Sequence, residues 1–270
     1  MKRVFLLFTA SFMAFEACLI VGSAPIYAMD YDAYEETRNI TPNQIQTAIK
    51  ALGPDSPFVY FDLQLSEHEI KSLKNLKINA TTEYNNYGNL KGLESESNDF
   101  IKSLGEKNEE TAKITSQIIV RIVNEIIQAS EKETAWVALR AFTPTASWNV
   151  PRWHTDGYYY APRTGDLYKF AISLKGSLTL FYQLPADRRE EFSDLQRKGT
   201  EQNEYNRQAL ADLLGCSKEA ISVAQPHQGA IFIVGSGNAA VHSEPPIDEQ
   251  RLFLSVLPGS QTQIKEWENQ

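Results

Sequence analysis

The sequence predicts an α+β chain with a mainly β core, of the antiparallel sandwich or barrel kind. Three observations predict it. From Thr134 onward, short apolar or alternating runs follow one another, separated by Pro and Gly turns. Ahead of them, residues 111–130 repeat apolar positions at helical spacing. The composition, 42% hydrophobic and 11% aromatic over 270 residues, is that of a folded chain able to bury a core.

The chain opens on "MKRVFLLFTASFMAFEACLIVGSAPIYA". Lys2 and Arg3, an apolar run and small residues up to Ala28 have the layout of a secretory signal peptide over residues 1–28. The apolar run is shorter than the ~20 residues a membrane span needs. Cleavage is therefore expected after Ala28, with no stable span afterwards and an exported location, periplasmic or secreted. Of the two cysteines, only Cys216 lies beyond the leader. That excludes an internal disulfide and a cysteine-based zinc site. The net charge of −8, with no basic run after the leader, argues against nucleic acid as a partner class. A small-molecule or protein substrate is the expected partner.

Residues 29–133 read as a helical N-terminal region packing on the β core. "TPNQIQTAIKALG" is a short helix, capped by Thr41, with Pro42 at its first position and Gly53 at its end. "FVYFDLQL", residues 58–65, alternates as a strand. "SEHEIKSLKNL" follows as a helix, with Ser66 and Glu69 spaced as a capping box and His68 in the first turn. Residues 79–110, rich in Asn, Glu, Ser and Gly, read as a long loop. In the long helix that follows, Ile114, Ile118, Ile119, Ile122, Val123, Ile126 and Ile127 form one wide apolar face.

Residues 134–262 read as the β core. "AWVALRAF", "YKFAIS", "LTLFYQL", "AISVA", "GAIFIV" and "RLFLSVL" are its expected strands. One charged, helical insertion interrupts them at 186–219, as a lid, a partner surface or decoration. No G-x-S-x-G, P-loop or H-E-x-x-H is present, and "GSGNAA" lies between strands as a turn.

The chemistry-bearing stretch is "VPRWHTDGYYYAPRTG". In an extended segment His154 and Asp156 face one way, so both can reach one ion, and Gly157 permits a tight turn after them. A third donor, His242, follows the buried-looking strand "GAIFIV" and a Gly-rich turn. Arg251 opens the next strand, where Arg251, Phe253 and Ser255 share a face.

His154, Asp156, His242 and Arg251 resemble the H-x-D…H…R pattern of iron(II)- and 2-oxoglutarate-dependent dioxygenases. "PHQGAIFIV" resembles the P-x-x-G-x-hydrophobic segment before their distal histidine. The resemblance covers residues 134–258. It implies a double-stranded β-helix, a jelly-roll or cupin-like barrel with the metal at one mouth, flanked by the N-terminal helices. It implies His154, Asp156 and His242 as metal ligands and catalytic centre, with three positions open on iron(II). Arg251, helped by Ser255, would bind the far carboxylate of 2-oxoglutarate as co-substrate. Trp153, Tyr158, Tyr159 and Tyr168 would wall the substrate mouth, or else serve as aromatics of the core. The implied activity is hydroxylation of a C–H bond. The alternative is a cupin-like exported metal-binding or ligand-binding protein without oxygenase activity. Arg251 discriminates the two, since only a 2-oxo acid needs a buried guanidinium there.

Overall fold

The computed structural model of the chain describes residues 42–144, 151–157, 167–198, 204–215, 220–235 and 237–269. The expected leader, the Thr41 cap, Cys216, Tyr158 and Tyr159 lie outside them. In chain order the elements are α1 (Pro42–Lys50), β1 (Phe58–Asp62), α2 (Glu67–Asn75), β2 (Thr82–Tyr87), α3 (Leu93–Ser103) and α4 (Glu109–Ser130). Then come β3 (Thr134–Phe142), β4 (Leu167–Lys175), β5 (Leu180–Tyr182), a 3₁₀ turn (Ala186–Arg188), α5 (Arg189–Lys198) and α6 (Glu204–Leu214). The chain continues through β6 (Ile221–Val223), β7 (Gln228–Val234), β8 (Val241–Ser243), β9 (Arg251–Gly259) and α7 (Gln261–Glu268).

Local chemistry sets several element ends. The capping box at α2 forms as its sequence requires: Glu69 N donates to Ser66 Oγ at 3.3 Å, and Ser66 N donates to Glu69 Oε2 at 2.8 Å. Asn108 caps α4 by accepting from Glu110 N and Thr111 N, at 3.0 and 3.1 Å. Glu131, at φ 53°, turns the chain out of that helix. The expected strand at 58–65 stops at Asp62, because Gln64 adopts φ 48°.

Residues 79–110 are not a loop. They contain β2 and α3. Neither element carries an apolar period that would reveal it. β2 is "TEYNNY", held by pairing with β3 (Tyr84 opposite Leu139) and by side-chain bonds such as Tyr84 OH to Glu96. α3 buries only Leu93, Ser97, Phe100 and Ile101.

The described strands form two antiparallel sheets. The larger has six strands in the order β1-β7-β4-β9-β3-β2, the smaller three in the order β6-β5-β8. Both edges of the larger sheet come from before Thr134. The N-terminal region is thus not helical alone, and residue 133 is no boundary of the sheet.

Alternation along the strands sorts side chains into layers. On one face of the large sheet, Val137, Leu139, Phe170, Ile172, Leu252, Leu254 and Val256 pack with Ile118, Ile119, Ile122, Val123 and Ile126 of α4. On the other face, Ala171, Ala230 and Phe232 meet Phe181 of β5, with the Phe181 and Phe232 rings 5.5 Å apart. Beyond the small sheet, Tyr182, Val241 and Trp153 pack with Phe192 of α5 and Leu210, Leu213 and Leu214 of α6. The insertion is therefore an outer layer backing the small sheet.

Ile122, 1% exposed, sits at the junction of α4 and the large sheet. Ile122→Ala is expected to destabilise the fold by about 2–5 kcal/mol through lost transfer energy and an unfilled cavity. Urea unfolding should show a lower midpoint at unchanged slope.

Candidate metal centre

Residues 151–157 run antiparallel to β8. His154 N donates to His242 O and His242 N donates to His154 O, both at 2.9 Å. This doubly bonded pair sets the two imidazoles side by side, with ring centroids 4.2 Å apart. Two residues outward in the same register, Arg152 faces Glu244. Arg152 Nε donates to Glu244 Oε2 at 3.1 Å, and its Nη2 to Oε1, a forked ion pair. Two residues the other way along the segment is Asp156, whose carbonyl accepts from Gly235 N at 2.9 Å. Gly157, at φ 142°, lies so close to Gly235 that a Cβ would come within 2.4 Å of the Gly235 Cα. Only glycine allows these two turns to meet.

The hydrogen bonds settle which ring nitrogens face the centre. His154 Nδ1 lies 2.8 Å from Arg152 O, and His242 Nδ1 lies 3.2 Å from Ala240 O. A carbonyl can only accept, so each Nδ1 carries a proton and each Nε2 is the ring nitrogen turned to the centre. Those Nε2 atoms stand 3.6 and 3.9 Å from Asp156 Oδ1. All three donor atoms lie within 4.8 Å of one another. Ligand bonds of about 2.1 Å at right angles separate donors by about 3 Å, so only a small inward movement closes them on an ion. Two imidazoles and a carboxylate oxygen, all protected from water, form the donor set of iron(II) sites that keep positions open.

Electrostatics prepare the same set. Burial and the neighbouring His154 push the His242 imidazole down to about 4, so it is neutral near pH 7. Burial works against ionisation of Asp156, but Lys169 and the two histidines outweigh it and hold its carboxyl well below the usual range. Lys169 Nζ binds Asp156 Oδ2 at 2.7 Å, which leaves Oδ1 toward the histidines.

The centre borders a cavity of about 360 Å³ between the sheets. Trp136, Arg140, Phe142, Lys169, Phe232, Arg251 and Phe253 line its large-sheet side, with Thr179 opposite. Arg251 is 1% exposed. Its Nε donates to Ser177 O at 2.8 Å, and its Nη2 to Thr179 Oγ1 and Ser173 Oγ at 3.2 and 3.3 Å. The Phe253 ring stacks on it, 4.6 Å from the guanidinium carbon to the centroid. Burial lowers its pKa to about 10, still far above neutral pH.

The fold thus brings His154, Asp156, His242 and Arg251 to one cavity. Ser255 shares Arg251's face of β9, but Phe253 stands between them and Ser255 is not among the cavity-lining residues. Trp153 does not wall the cavity either. Alternation turns it away from His154, into the core beneath α5 and α6, where it meets Tyr182 edge-on at 5.8 Å. Tyr168 is likewise turned away: it packs on the helix side with Phe170, while its neighbour Lys169 points inward. The apolar set Tyr168, Phe170 and Ile172 marks the helix-facing side of β4, which leaves Lys169, of the two residues the sequence offers as barrel lining, on the cavity side. The Arg152–Glu244 pair had no signal short of the register itself.

No protein-family model matches the chain, and no curated protein matches it in sequence. Among solved structures it is similar to a Kdo hydroxylase, titled a non-heme Fe(II) α-ketoglutarate-dependent dioxygenase in complex with cobalt(II), at 12% identity and a TM-score of 0.45, covering 88% of this chain and 91% of that one. It is also similar to a prolyl-4-hydroxylase from Pseudomonas putida, at 11% identity and TM-score 0.42, covering 84% and 99%. A third is a prolyl hydroxylase from Trichoplax adhaerens in complex with a peptide fragment, at 8% identity and TM-score 0.38, covering 83% and 91%.

Arg152 and Glu244 are both largely buried, with side-chain exposures of 21% and 25%. Arg152→Leu leaves the carboxylate without its fork and is expected to destabilise the chain by about 2 kcal/mol or more. The double variant Arg152→Leu/Glu244→Leu should regain part of that loss. Denaturant unfolding of both single variants and the pair measures the coupling.

Proposed function

We propose that the protein is an iron(II)- and 2-oxoglutarate-dependent oxygenase that hydroxylates a C–H bond of a small-molecule or protein substrate. The observation that carries the reading is Arg251. A permanently charged guanidinium is fully buried beside the His154, Asp156 and His242 set, and among the described residues its hydrogen-bond partners are all neutral. Burying such a charge is costly unless an anion arrives to share it. A 2-oxo acid with a second carboxylate supplies that anion, and the planar fork suits it. A metal-binding protein that uses no 2-oxo acid has no need of this cation.

The chain's own groups have distinct tasks in this reading. His154 and His242 turn their Nε2 atoms to the centre, held in orientation by their Nδ1 bonds. Lys169 occupies Asp156 Oδ2, so the carboxylate engages through one oxygen. Arg251 anchors the distal carboxylate of the co-substrate, while Trp136, Phe142, Phe232 and Phe253 supply the apolar part of a cavity wall that also carries Arg140, Arg152 and Glu244. His154, Asp156 and His242 would hold iron(II), which would supply dioxygen activation, one oxygen atom going to 2-oxoglutarate as it is oxidised to succinate and carbon dioxide and the other to the substrate as a hydroxyl group. The two sheets facing each other across the centre support a double-stranded β-helix. The layout of residues 1–28 supports export.

The test is a titration of the oxygen-free protein with iron(II) and then 2-oxoglutarate, followed by visible absorption. A weak charge-transfer band is expected. It should disappear in His242→Ala, and Arg251→Ala should weaken 2-oxoglutarate binding by about 10- to 100-fold, the loss of hydrogen bonds to a charged group. A wild-type protein that gives no band overturns the reading.

A further inference from the structure

We propose that Gln196, on the helical insertion, is a positioning residue of the metal centre, holding His154 and Asp156 in register through the backbone of Thr155. The inference rests on the reading of His154, Asp156 and His242 as metal ligands. In an antiparallel pair, the backbone groups of successive residues point to opposite sides. The N–H and C=O of His154 are taken up by His242, so those of Thr155 point off the far edge of the small sheet. Among the described residues no strand pairs there. The side chain of Gln196 occupies the edge instead. Its Oε1 accepts from Thr155 N at 2.9 Å and from Thr155 Oγ1 at 3.0 Å, and its Nε2 donates to Thr155 O at 3.0 Å. One primary amide thus reproduces both bonds that a neighbouring strand would have made.

The amide is fixed at its other end. Gln196 is 5% exposed. One helical turn earlier on the same face of α5, Phe192 is 1% exposed and enters the cluster that contains Trp153 and Val241. Trp153 and Val241 immediately precede the two histidines and point opposite to them. The insertion therefore grips both ligand-bearing segments from behind, and Gln196 ties down the residue between two of the three ligands. Without it, the Thr155 amide and carbonyl turn to water. The torsions that aim the His154 Nε2 and the Asp156 Oδ1 at one point are then free to drift.

The experiment compares cobalt(II) affinity with apo-protein stability in the full purified chain, by calorimetric titration and thermal unfolding. Gln196→Leu, close in volume, removes all three bonds. It is expected to weaken cobalt(II) binding by about 10- to 100-fold, the usual effect of losing an outer-shell partner. Gln196→Glu keeps the acceptor for Thr155 N and Oγ1, loses the donor to Thr155 O, and should fall between wild type and Gln196→Leu. Leu210→Ala, in the insertion core, controls for stability: it should lower the unfolding temperature while leaving cobalt(II) affinity near wild type. If Gln196→Leu does not fold, Gln196→Glu decides, and wild-type affinity in it overturns the proposal. So does a Gln196→Leu protein that binds cobalt(II) as tightly as wild type, or a Leu210→Ala protein that loses affinity in step with stability. A wild-type chain that binds no cobalt(II) overturns the metal reading and this inference with it.

Discussion

The two backbone hydrogen bonds between His154 and His242 are the constraint on which the rest of the site depends. They join a segment that precedes the large insertion to a strand that follows it, and they fix the register of everything on either side. With His154 opposite His242, alternation places Arg152 against Glu244 on the cavity face, and it turns Trp153 and Val241 to the opposite face. A slip of one residue would exchange those faces and bury the ligands in the apolar layer beneath α5 and α6. Gly157 and Gly235 guard this register at one end by a backbone approach that no side chain permits.

Charge is distributed around that pair so that each buried group has an assigned counterpart, with one exception. Arg152 answers Glu244, and Lys169 answers one oxygen of Asp156. The other oxygen of Asp156 faces the Nε2 atoms of both imidazoles, at 3.6 and 3.9 Å. Arg251 is the exception: hydroxyls, a carbonyl and aromatic faces surround it, and Glu244, already forked by Arg152, acts on it only at longer range. The cavity thus sets a cluster of possible metal-donor atoms beside a buried cation. The two positions are set by different sheets, which explains why the sheets must face each other.

Much of this was legible in the chain, and the exceptions have physical causes. The helices with strong apolar periods or capping boxes, α2 and α4, and the apolar strands β3, β4, β7 and β9 declared themselves locally. β2 and α3 did not, because β2 is polar and exists by pairing with β3, and α3 buries too few apolar side chains to show a period. The sequence marked His154, Asp156, His242 and Arg251 by residue type and order. It left Trp153 and Tyr168, whose neighbours His154 and Lys169 face the cavity, open between cavity wall and core aromatic, because a one-residue offset is invisible until the inward face of each strand is known.

By itself, then, the sequence determined the donor types, their order along the chain and the alternation that puts His154 with Asp156 and Arg251 with Phe253 on common faces. Those follow from covalent spacing and the two-residue period of extended backbone. Only the tertiary structure decided that His242 pairs with His154, that Lys169 holds Asp156, and that the insertion closes the open edge at Thr155 through Gln196. Each of these is a contact between separate elements, and nothing local specifies the register in which such segments meet.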